Sequence, residues 1–98
     1  VIVIYKYECV PGVLDWVVQM HQGAEILTLG TQNHNFVYWA KVDPKMPQVP
    51  RRLRLIMTAQ PIEDMPDAKY CGTCNSSVEG IPFVLHLFDL GEVLRGNS

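Results

Sequence analysis

The stretch AEILTLGTQNHNFVYWAKVD, residues 24–43, decides how the rest of the chain is read. Asn33, His34 and Asn35 stand between two runs of β-branched and aromatic residues, and Asn tolerates the left-handed backbone that a tight hairpin needs. The stretch therefore predicts two strands, over 24–31 and 36–43, joined by a short turn. In the second arm Phe36, Tyr38, Ala40 and Val42 share one face, and Val37, Trp39 and Lys41 share the other. Both faces carry large apolar groups. Such a strand belongs between two layers, or has its outer side covered by a loop or a partner.

Working outward, the same period of two recurs. Ile2 to Glu8 alternates as a first strand, Pro11 and Gly12 punctuate the chain, and Leu14 to His21 reads as a second strand closed by Gln22 and Gly23. Beyond the hairpin, Pro44, Pro47 and Pro50 exclude helix and predict a surface loop in place of a central strand. Arg51 to Ala59 resumes the alternation, with Leu53, Leu55 and Met57 inward and Arg52 and Arg54 outward. A second loop spans residues 60–69. Tyr70 to Ser76 and Ile81 to Leu90 then pair around Glu79 and Gly80, and residues 92–98 read as a polar tail. Seven short strands and no convincing amphipathic helix predict an all-β fold. The expectation is one domain over 1–98, a small sandwich or partly open barrel.

The totals agree with one globular domain. Of 98 residues 48% are apolar and only 18% charged, a low charge content that leaves room for a sticky face. The net charge of −2 is too small to imitate a nucleic acid and has the wrong sign for general phosphate affinity. No apolar run approaches the ~20 residues of a membrane-spanning helix, and three cysteines do not make a paired disulfide framework. Both points lead to the expectation of a cytoplasmic protein without a membrane partner.

The sharpest local motif is Cys71-Gly-Thr-Cys74, the CxxC spacing of zinc knuckles and redox disulfides. Zinc needs four ligands, and Cys9, His21, His34 and His86 are scattered single candidates. A redox CxxC opens a helix, whereas this one lies in a strand, where positions three apart face opposite sides. Ordinary strand cysteines are the simpler reading, and no cofactor is expected. Glu63, Asp64 and Asp67 lack the spacing of a calcium loop and read as a solvated acidic loop. Five of the eight basic residues, Lys41, Lys45, Arg51, Arg52 and Arg54, crowd one stretch. If the strands are neighbours, Arg51, Arg52, Arg54 and Lys41 join Trp39 and Tyr38 in a basic, aromatic patch able to hold a phosphate, a nucleotide or an acidic partner. Against this, arginines at a strand start also guard an edge from aggregation.

The ordered set Ile4-Tyr5-Lys6-Tyr7, Gly23-Ala24 before Ile26-Leu27, Trp39-Ala40 with Val42-Asp43-Pro44, Pro61-Ile62, Gly72-Thr73 and Leu85-His86-Leu87-Phe88 resembles a family of small uncharacterised proteins encoded by tailed phages and prophages. The set covers nearly the whole chain, and its specificity lies in the order and spacing. The chain departs most from that pattern over Leu14 to Met20 and after Cys74. The resemblance implies a compact β-rich accessory protein, independent of the virion, acting in the bacterial host cytoplasm, with no catalytic residues to carry over. Cys71 and Cys74 fall at variable places in it.

Three functions follow as expectations. The first is a non-enzymatic protein that binds a host protein or protein complex, for example inhibiting a defence system such as CRISPR. The second is a homo-oligomeric binder, or sponge, for a nucleotide signal, lined by the arginines and Trp39. The third is a zinc-stabilised or thiol-dependent protein using Cys71 and Cys74.

Overall fold

Seven strands follow one another in the order β1 (Val3–Glu8), β2 (Asp15–His21), β3 (Glu25–Gln32), β4 (Asn35–Val42), β5 (Gln48–Met57), β6 (Lys69–Val78) and β7 (Ile81–Glu92). The computed structural model describes residues 1–62 and 65–93, and no helix among them is long and apolar enough to cross a membrane. Two hairpins sit where the turn chemistry places them. Asn33 (φ 52°) and His34 (φ 68°) join β3 to β4, and Glu79 (φ 51°) and Gly80 (φ 79°) join β6 to β7. Two central residues with positive φ give the turn whose twist matches the flanking strands.

The strands form two antiparallel sheets, one of three in the order β1-β4-β3 and one of four in the order β2-β5-β7-β6. The fold is an open sandwich, not a closed barrel. Its smallest extent of 18 Å accommodates two layers spaced at about 10 Å. Tyr38 and Ala40 from β4 meet Met20, Leu53 and Leu87 from the other sheet, and each of the five is fully buried. Truncating a core leucine such as Leu53 to Ala costs about 2–5 kcal/mol at sites of this kind.

The two flanks of the sandwich differ. On one, β3 and β6 come together, and a Cβ at Gly72 (φ 145°) would lie 3.0 Å from the Leu29 amide nitrogen. Only glycine lets the two edges approach so closely. On the other flank, β1 and β2 are free edges, bridged by the rings of Tyr5 and His21 at 6.1 Å.

Three expectations need correction. Pro50 lies within β5, an internal strand between β2 and β7. The Val93 N–H reaches the Pro50 carbonyl at 2.8 Å, so the proline's missing N–H points at the very end of β7, where the ladder stops. The last strand runs past Leu90: Gly91 and Glu92 belong to β7, paired with Arg52 and Arg51, so Glu92 is not part of a polar tail; residues 94–98 lie outside the described residues. Of the outward apolar residues of β4, Val37 is covered by the protein itself and Trp39 is half-buried. Val37 is fully buried where Lys6 Nζ donates to Gln32 Oε1 across β4, and the Trp39 ring lies over Gly30, where a Cβ would meet it at 2.9 Å.

Candidate functional site

The residues expected to form a basic, aromatic patch do not meet, because β4 and β5 belong to different sheets. Lys41 and Trp39 face outward from the three-stranded sheet, and Lys41 pairs with Glu25 at 3.5 Å. Tyr38 points into the core, where burial pushes its phenol well up, and its ring stacks on Tyr7 at 5.3 Å. Arg52 and Arg54 face outward from the four-stranded sheet. Both grip Asp15, at 2.8 to 3.0 Å. The Arg52 hydrogen bond is the main cause holding the Asp15 carboxyl below the usual carboxylate range.

Arg51 has the most marked environment of the set. It is 5% exposed, and its Nη1 donates to Asp89 at 2.7 Å and its Nη2 to Glu92 at 3.3 Å. Glu92 also accepts the Gly23 N–H at 2.9 Å, so one buried guanidinium ties the end of β7 to the β2–β3 turn. Both carboxylates face inward because the β5–β7 register shifts between Arg52 and Leu53, leaving Leu90 unpaired. A β-bulge of this kind reverses the alternation of the residues beyond it. Arg51 is therefore a structural lock: Nη1 and Nη2 are engaged, and its Nε is buried without a partner among the described residues.

A second bulge corrects the reading of the cysteines. The β6–β7 register shifts between Tyr70 and Gly72, so Cys71 and Cys74 both turn toward the core instead of facing opposite sides. Burial pushes the Cys71 thiol up to about 11 and raises that of Cys74, which favours the unreactive thiol over the thiolate. Among the described residues no three His, Cys, Asp or Glu side chains gather in a metal-binding group. Glu63 and Asp64, of the acidic loop, lie outside the described residues, and Asp67 stands in the connection from β5 to β6.

What brings surface residues together is the end of the sandwich that carries the β1–β2 turn and the two hairpin turns. There the sheets part over a cavity of about 320 Å³, with Phe36, Leu55, Phe83 and Leu85 among its walls and Val13, Leu14 and Met57 at its mouth. An adjoining, more polar hollow shares His34, Ser76 and Ser77 with it. These three form a hydrogen-bonding rim. Cys9 also lines the cavity, and burial pushes its thiol up to about 11. A cavity with apolar walls and a polar lip binds an apolar group and orients it, and its volume lies at the lower end of the range for ligand sites. His34 was legible only as a turn residue, and Leu14, Met57 and Phe83 only as strand residues.

Over residues 2–95 the sequence matches the family described as Domain of unknown function (DUF7352). The chain belongs to that family. No curated protein and no solved structure matches it. The matched span of this DUF7352 domain takes in all seven strands, and with them both the Arg51 lock and the end cavity.

One polar chain remains on the outer face of the four-stranded sheet of the DUF7352 domain. His86 sits between Thr58 (2.8 Å) and Thr73 (2.9 Å), and Thr73 in turn bonds the Tyr70 hydroxyl. Both imidazole nitrogens are used within the protein, which holds Thr58, the first residue after β5, against the sheet.

Proposed function

We propose that this protein works by reversible binding, and that it accepts an apolar side chain of a macromolecular partner into the cavity at the open end of the sandwich. One observation carries the reading: the cavity has apolar walls, exposed apolar residues at its mouth and hydrogen-bonding groups on its rim. Val10, Leu14 and Met57 are exposed there, so a partner has apolar surface to cover as well as a cavity to fill. The resemblance to phage and prophage proteins supports a host protein or complex in the bacterial cytoplasm as that partner, of the kind that serves in defence, as CRISPR complexes do. The nucleotide-signal reading has less support, since Arg51, Arg52 and Arg54 already answer acidic groups of the same chain.

Affinity purification from an expressing host, wild type beside Met57→Glu, tests the proposal. A charge at the mouth should remove the recovered partner while leaving the melting temperature nearly unchanged. Equal recovery by both proteins would overturn the placement of the site.

A further inference from the structure

Each strand at the border of a sheet must dispose of a row of backbone donors and acceptors. Edges β3 and β6 cover one another at Gly72 and Leu29. Edge β2 bears Asp15, held by two arginines, and a single exposed valine, Val17. Edge β1 is guarded only by two exposed charges of opposite sign, Lys6 and Glu8. Ile4 and the preceding Ile2 are each 61% exposed, and the strand contains no proline. The Cys9 N–H donates to Phe36, so the odd-numbered residues of β1 bond to β4, and the backbone groups of Ile4, Lys6 and Glu8 point to the free edge.

From this edge we infer that the protein forms a homodimer in which β1 pairs antiparallel with β1 of a second copy, joining two three-stranded sheets into one of six. Only registers that set even-numbered residues opposite one another let those backbone groups bond. Pairing Lys6 with Lys6 sets like charges together and puts Ile4 against Glu8. Pairing Ile4 with Lys6 puts Ile2 against Glu8. Pairing Lys6 with Glu8 forms two Lys–Glu pairs and sets Ile4 against Val10, itself 57% exposed and just past the end of β1, of the second copy, while Ile2 falls opposite Gly12. Lys6, which bonds Gln32 in the single copy, has the reach to turn to that glutamate. The surface lies on a flank and meets the end cavity at Val10, which lines both.

Sedimentation velocity over the micromolar to millimolar range tests the dimer and its register together. The wild type should pass from monomer to dimer. Lys6→Glu and Glu8→Lys should each weaken dimerisation by about tenfold, since two attractive pairs become repulsive. An equimolar mixture of the two variants, and the double variant carrying both changes, should restore it. A wild type that stays monomeric throughout would sink the inference. So would folded single variants, with a wild-type melting temperature, that fail to associate when mixed, or a folded double variant no better than the single ones.

Discussion

The two ends of the sandwich solve opposite problems with the same strands. At one end a buried guanidinium and two carboxylates draw β5, β7 and the β2–β3 turn together, while at the other the sheets part over an apolar cavity. A buried ion pair is costly to desolvate and tolerates no missing member. A cavity already open to solvent has little left to lose. The comparison teaches that stability and binding are separated along the strands: substitutions at the locked end should unfold the protein, and those at the open end should leave it folded.

The sharpest way to break this contrast is Arg51→Met. It leaves Asp89 and Glu92 without their cation, and a loss of about 3–5 kcal/mol is expected in urea denaturation. Replacing Arg51, Asp89 and Glu92 together by apolar residues of similar volume should cost less than Arg51→Met alone. Next in size is Gly72→Ala on the closed flank, where the added Cβ meets the Leu29 backbone and the backbone angle is strained for any other residue; about 1–3 kcal/mol is expected by the same measurement. At the open end, Leu14→Ser should change the unfolding free energy by less than about 0.5 kcal/mol, as for other exposed sites, while weakening partner binding.

The smallest effect belongs to Asp15. Its carboxyl is held low in the folded state, chiefly by the Arg52 hydrogen bond, so the stability it adds is present above the unfolded value of about 3.9 and is lost as pH falls through the lower folded value. Asp15→Asn should therefore lower the urea midpoint slightly at neutral pH and not at all in strong acid. High salt should shrink the difference, since the fork is exposed. A difference that persisted in acid would mean the contact acts through packing instead.

How much of this was legible depends on how local the signal was. All seven strands and both hairpins follow from alternation and from Asn33, Glu79 and Gly80, since turn geometry and side-chain direction are set by neighbours in the chain. Pro50 misled because a proline's effect depends on what lies opposite its nitrogen, and that is the end of β7. Cys71 with Cys74 misled, and the shared facing of Asp89 and Glu92 gave no signal, because a single unpaired residue in each strand breaks the alternation. The candidate arginine patch failed for a larger reason. Proximity in sequence put Trp39 and Arg52 thirteen positions apart, and the sheets put them on opposite outer faces.

The amino-acid sequence alone determined an all-β domain, its seven strands and the two tight turns, because these depend on periodicity and on backbone preferences within a few residues. Strand order, the two bulges, the buried partners of Arg51 and the cavity under His34 were decided only when the sheets packed. Those features depend on which strands become neighbours, and that is settled by burying the whole core at once.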